Sequence, residues 1–224
     1  MTAPREKTFL LARPEARVLE WIARRLPSWA MPDHLTALGV LAAIGIAAAY
    51  ALSNRDPVWL WAASGLLVLH WLGDSLDGTL ARVRRIERPR YGYYLDHLVD
   101  AIATALIGIG LGFSPYMLLV TGLVIVVAYL VLSINTYLET HTLGVFSLGY
   151  GRLGPTEARV GLIAINTLLA LGIAPAMSVL GFGITVLDVV ALGGAALMVA
   201  GLGVRAFRNL RKLARLEPAA HAAP

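Results

Sequence analysis

The stretch Asp74-Ser75-Leu76-Asp77-Gly78-Thr79-Leu80-Ala81-Arg82 is followed, nine residues later, by Gly92-Tyr93-Tyr94-Leu95-Asp96-His97-Leu98-Val99-Asp100. Both halves run into strongly apolar sequence, where lone carboxylates are costly and point to function. On a helix, Asp74 and Asp77 are three apart and Asp96 and Asp100 four apart, so each pair projects from one helical face. Four acids on two facing helices, with no His or Cys partner, suit hard divalent cations such as magnesium, manganese or calcium better than zinc. Gly78 and Ala81 share the stripe of the first pair and lack bulk, which lets a flat substrate come close. Arg82 adds a guanidinium one turn away. Metal, small-residue platform and arginine together fit a diphosphate substrate. The plainer alternative is a solvated cluster in which Arg82, Arg84, Arg85, Arg88 and Arg90 pair with the acids.

The string Asp74-x2-Asp77-Gly78-x2-Ala81-Arg82-x9-Gly92-x3-Asp96-x3-Asp100 resembles the signature of the CDP-alcohol phosphotransferases (CDP-alcohol phosphatidyltransferases). These membrane enzymes transfer a phosphate-bearing group from a CDP-linked donor to an alcohol. All eight signature residues are present, and the spacer of nine between Arg82 and Gly92 is one longer than the commonest. The resemblance implies two magnesium or manganese ions on Asp74, Asp77, Asp96 and Asp100, and donor binding by Gly78, Ala81, Arg82 and Gly92. It also implies a homodimer, for which small residues of the last apolar segment, Gly193 to Ala196, permit close packing.

Composition agrees with a membrane enzyme. The 224 residues are 58% hydrophobic and 15% charged, with mean hydropathy +0.69, a polytopic rather than a soluble profile. The net charge of +5 lies at the ends of apolar segments, and no basic face interleaved with aromatics accompanies it. A membrane surface, not nucleic acid, is therefore the expected partner. The absence of Cys excludes disulfides and thiol catalysis. The charged N-terminal stretch does not read as a signal peptide.

The expected architecture is all-α. Six spans cover 35–53, 58–82, 92–113, 115–137, 156–175 and 182–204, each long enough to cross about 30 Å of hydrocarbon. The fifth, interrupted by Asn166, is the weakest. Residues 1–34 form a cytoplasmic segment, 35–204 the catalytic domain and 205–224 a basic tail. Within the first, residues 14–29 carry Val18, Leu19, Ile22 and Leu26 on one stripe and Arg17, Glu20 and Arg24 on another, as in an interfacial amphipathic helix. Arg and Lys collect on one side of the six spans, leaving Arg55 opposite. The positive-inside tendency then places both termini and the acidic motif at the cytoplasm.

Further positions refine the reaction. Pro32-Asp33-His34-Leu35-Thr36 resembles a family segment that contributes to nucleotide binding, which assigns Asp33 and Thr36 to the donor, although Asp33 also reads as a helix cap. His97, directly after Asp96, resembles the choline and ethanolamine phosphotransferase branch, where such a histidine is a candidate base. Elsewhere in the family the last aspartate, here Asp100, is given that role, so both stay open. Thr136-Tyr137 and Thr156-Glu157 also resemble the amino-alcohol branch. Glu157 could hold an ammonium headgroup, while Arg152 and Arg159 could hold an anionic acceptor. The reading tilts toward transfer from a CDP-amino alcohol to diacylglycerol, with CDP-diacylglycerol and a small polar alcohol as the alternative. A cation-coupled transporter would place its acids near the bilayer midplane in paired halves, and no such repeat is present.

Overall fold

The computed structural model describes residues 11–144, 154–173 and 183–217. Seven helices account for the regular structure among them: α1 (Ala12–Ala23), α2 (Pro32–Leu52), α3 (Trp59–Arg84), α4 (Pro89–Gly112), α5 (Leu119–Leu143), α6 (Pro155–Ala170) and α7 (Val186–Leu216). Prolines at the starts of α2, α4 and α6 use a position that needs no amide hydrogen and already has the right φ. Helices α2, α4, α5 and α7 are long and apolar enough to cross a membrane. Helix α3 is as long, but His70, Asp74 and Asp77 dilute its apolar character, and α6 has only 16 residues.

Small residues decide how the helices cross. A Cβ on Gly73 would lie 2.6 Å from the Gly39 backbone nitrogen and 2.7 Å from the Leu35 carbonyl, so α2 and α3 meet backbone to backbone one residue before Asp74. Gly110 meets Ala47 in the same way at α4 and α2, and Gly122 meets Gly108 at α5 and α4. An apolar core of Ile46, Tyr50, Leu60, Leu67 and Leu111 fills the far end of the bundle. Asn166, the residue that weakened the fifth expected span, is buried there and useful. It accepts from the Tyr50 hydroxyl at 3.2 Å and donates to Ser64 Oγ at 3.2 Å, joining α2, α6 and α3. A buried amide is tolerable because its partners replace water.

Helix α1 does more than lie alongside the bundle. Leu19 and Ala23 are buried with Leu35, Leu76 and Leu80, so its apolar stripe packs on α3 and the start of α2. Val18 and Trp21 stay exposed. Arg84, at the end of α3, donates to the carbonyls of Leu26, Pro27, Ser28 and Ala30 and so clamps the α1–α2 connection. Asp188, fully buried, accepts from the amides of Thr185 at 2.8 Å and Leu118 at 2.9 Å, fixing the start of α7 to that of α5. Helix α7 continues through Arg205 to Leu216, so much of the expected basic tail is helical. Arg205 pairs there with Glu139 of α5.

Candidate active site

Helix α3 ends at Arg85, whose φ of 57° closes the helix in the left-handed conformation, and α4 begins at Pro89. A short turn therefore joins α3 to α4, and both helices pack against α2. Asp96 and Asp100 of α4 gather with His97, and Asp74 and Asp77 of α3 stand within electrostatic reach of them. Asp77 lies within electrostatic reach of Asp74 and Asp96. Asp100 lies within electrostatic reach of Asp74 and Asp96.

Each acid has a different anchor. Asp77 accepts from Thr36 Oγ1 at 2.6 Å and from the Gly78 amide at 2.5 Å, so α2 sets its orientation. Asp74 accepts from Arg159 of α6 at 2.6 Å, and both side chains are largely buried, 18% and 14% exposed. Asp96 lies 3.5 Å from His97 Nδ1. The buried His97 ring stacks on Tyr137 of α5, centroids 4.7 Å apart and 19° between planes, and meets Tyr93 edge-on at 4.2 Å. One ligand atom each from Asp96, His97 and Asp100 lie within 4.8 Å of one another.

These residues fit a divalent cation. Asp96 and Asp100 share a cluster with His97, Asp77 and the Arg159-paired Asp74 add their charge from α3, and such like charge calls for more positive charge than one arginine brings. A donor set dominated by carboxylate oxygens suits a hard divalent cation. The imidazole of His97 joins the cluster as a neighbour of two carboxylates, which the helical spacing of the aspartates alone did not indicate.

The surroundings leave room for a substrate. A Cβ on Gly78 would meet only Arg82 Nη1, at 3.5 Å, and one on Gly92 would meet nothing within 4 Å. Ala81 is half-buried and Arg82 exposed, with Arg82 Nη2 donating to Thr79 Oγ1 at 3.0 Å. Asp33 pairs with Arg88 in the α3–α4 turn; that hydrogen bond, ahead of the charge attraction, raises the Arg88 pKa above its usual value. Thus Asp33 links the start of α2 to the α3–α4 turn, whereas Thr36 reaches Asp77 directly.

The expected headgroup residues separate. Arg159 joins the acidic cluster. Glu157 is held by backbone: its oxygens accept from the amides of Leu11 and Gly154, each at 2.9 Å, as expected of an acid in the first turn of a helix. Arg152 lies outside the described residues. His70, one turn before Asp74, is buried, and its Nδ1 has no hydrogen-bond partner among the described residues. Two contributors had not been assigned from sequence. Tyr137 belonged to a quoted Thr-Tyr pair but carried no role. Glu15, which accepts from Trp71 and Thr156, sits on the apolar stripe of α1 with Leu19, Ile22 and Leu26, and an acid on a buried stripe was the available signal.

Known proteins give the cluster a family. Residues 29–200 match the CDP-alcohol phosphatidyltransferase family model. The chain is similar to cholinephosphotransferase 1 of Danio rerio, 26% identical over 67% of this chain and 41% of the relative. Cholinephosphotransferase 1 of Gallus gallus is 30% identical over 66% of this chain and 45% of its own. A CDP-diacylglycerol–glycerol-3-phosphate 3-phosphatidyltransferase of Cereibacter sphaeroides is 33% identical over 44% of this chain and 45% of the relative. The matches therefore span less than half the length of each of these relatives. In fold the chain resembles a Mycobacterium tuberculosis phosphatidylinositol phosphate synthase crystallised with CDP-DAG bound, with a TM-score of 0.59 and 23% identity over 93% of this chain and all of the other. With more than three quarters of its length inside the family model and the acidic motif carried by α3 and α4, the chain belongs to the CDP-alcohol phosphatidyltransferase family.

Proposed function

We propose that this protein transfers a phosphate-bearing group from a CDP-linked donor to an alcohol, releasing CMP, with the tilt toward a CDP-amino alcohol donor and diacylglycerol as acceptor. The observation that carries the reading is the compact Asp96–His97–Asp100 cluster beside Tyr137, with Asp74 and Asp77 of α3 within electrostatic reach of it. Two magnesium or manganese ions on those aspartates would supply the positive charge that neutralises the diphosphate and stabilises the departing CMP. Gly78, Ala81 and Gly92 leave space for the donor, Arg82 orients its phosphate, and Thr36 keeps Asp77 aimed. The acceptor oxygen bonds to the donor β-phosphorus as the phosphoanhydride bond to CMP breaks. Asp100 or His97 takes the hydroxyl proton.

The amino-alcohol branch draws support from Tyr137, which belongs to the Thr-Tyr pair resembling that branch and lies against His97, and from similarity to cholinephosphotransferases over two thirds of the chain. A phosphatidyltransferase reading, CDP-diacylglycerol with a small polar alcohol, is favoured by one specific contact. Arg159 lies on Asp74, where a guanidinium can meet an anionic acceptor. The capping role of Glu157 also removes one reason for an ammonium ligand.

Helices α2 to α7 serve in this proposal as six spans, with α1 at the interface, both termini and the acidic cluster cytoplasmic, and two copies forming a homodimer. Asp77 and Asp96 lie toward the α3–α4 turn, which suits a water-soluble nucleotide meeting a lipid at the surface more than ion passage through the midplane. The deciding experiment supplies purified protein with CDP-choline or CDP-ethanolamine plus diacylglycerol, and separately with CDP-diacylglycerol plus glycerol phosphate, inositol phosphate or serine. CMP release in the first set supports the lead reading, release in the second moves the chain to the other branch, and release in neither removes the proposal.

A further inference from the structure

Glu15 joins three helices through one carboxylate oxygen. Its Oε1 accepts from Trp71 Nε1 at 2.7 Å, Thr156 Oγ1 at 2.9 Å and Ser75 Oγ at 3.4 Å. Trp71 and Ser75 flank Asp74 on α3. Thr156 stands three residues before Arg159 on α6, on the same helical face. Helices α3 and α6 are therefore joined twice near the acids: directly, by Arg159 on Asp74 at 2.6 Å, and about one turn away through a carboxylate from α1. The tie is reciprocal, because Glu157 of α6 accepts from the Leu11 amide at the start of α1.

This arrangement matters for Arg159 more than for its neighbours. An arginine side chain is long and loses much rotamer freedom when fixed, so whether it stays on Asp74 depends on where the backbone of α6 begins. We propose that Glu15 is a positioning residue: by tying the start of α6 to α3, it keeps the Arg159 guanidinium on Asp74 as a built-in counter-charge that a divalent cation must displace. This rests on the reading of the four aspartates as a cation site. A guanidinium on a ligand oxygen both occupies its lone pairs and repels an incoming cation, while relieving repulsion among the carboxylates until one arrives.

The test is equilibrium Mn2+ binding to the full chain in detergent, followed by electron paramagnetic resonance, together with amide hydrogen exchange across residues 155–160. Arg159→Gln should tighten Mn2+ binding about tenfold by removing the competing charge. Glu15→Ala should tighten it by a smaller factor and speed exchange at the start of α6, and Thr156→Val, which removes only the α6 end of the tie, should do the same should Glu15→Ala fold poorly. Glu15→Gln keeps an acceptor oxygen and should stay near wild type. Added to Arg159→Gln, Glu15→Ala should change Mn2+ affinity no further, since the residue it positions is gone. Unchanged or weaker binding in Glu15→Ala and Thr156→Val, or tightening that adds to that of Arg159→Gln, overturns the inference. Absence of Mn2+ binding by wild type overturns the cation-site reading itself, a separate and recognisable outcome.

Discussion

Thr36 on α2 donates to Asp77 on α3 at 2.6 Å, so a hydroxyl 41 positions away in sequence aims one of the four clustered carboxylates. A partner that orients a ligand usually matters nearly as much as the ligand. Thr36→Val keeps the shape and removes the donor. It should lower activity and apparent Mg2+ affinity by roughly 10–100-fold, the range typical of such partners, while Thr36→Ser retains most of both. A Mg2+ titration of CMP release compares the three proteins.

Single replacement of Asp74, Asp77 or Asp96 by Asn preserves size and removes a ligand charge. Each variant should fold and lose transfer, and a chelator should stop wild-type turnover until magnesium or manganese is returned. Full activity in any one variant would contradict the assignment.

Two glycines one turn apart should behave oppositely. At Gly73 an added Cβ would sit 2.6 Å from backbone of α2, so Gly73→Ala must push two helices apart, at a cost of about 1–3 kcal/mol for overpacking, and should lower the melting temperature and displace Asp74. At Gly78 the added Cβ meets only a flexible arginine tip. Gly78→Ala should therefore melt like wild type yet raise the KM for the CDP-linked donor, because the methyl occupies the platform. Thermal unfolding in detergent and steady-state kinetics separate the two effects.

The sequence was most informative where chemistry and periodicity coincide. The spacing of Asp74, Asp77, Asp96 and Asp100 is a statement about two helical faces, and the acids do lie on two successive helices, a pair on α3 and a pair on α4. Helix positions followed from the apolar runs, and each of α2 to α7 overlaps one of them. Contacts between distant segments were hidden. Nothing near Glu157 announces that its oxygens are taken by the Leu11 and Gly154 amides, and an isolated Arg159 reads as a snorkelling side chain until α6 places it on Asp74. Similarly, Leu19 and Ile22 suggested a helix lying in the interface, yet an amphipathic stripe looks the same whether it faces lipid or, as here, α3.

Orientation can be checked on the Cys-free chain, since any introduced thiol is unique. With Cys at position 54 or 55, an impermeant maleimide should label intact cells, whereas Cys at 86 or 212 should react only after permeabilisation. Equal labelling of all positions from outside would contradict the cytoplasmic placement of the acids.

The proton acceptor is the sharpest remaining distinction, and the geometry frames it. His97 is held between Tyr93 and Tyr137 with Nδ1 3.5 Å from Asp96, so its ring is fixed in place and Asp96 bears on its orientation. Asp100 lies close to Asp74, deeper among the carboxylates. If His97 accepts the proton, His97→Gln should slow the chemical step by roughly 10²–10⁴-fold with donor affinity nearly unchanged. If Asp100 accepts it, His97→Gln should have a small effect, and Asp100→Asn should bind donor without turnover. Single-turnover kinetics paired with donor binding distinguishes these outcomes. Near-normal turnover in both variants would exclude both residues. Glu157 would then be an unsuitable substitute, because a carboxylate already accepting from two backbone amides would have to abandon its helix cap to take the proton.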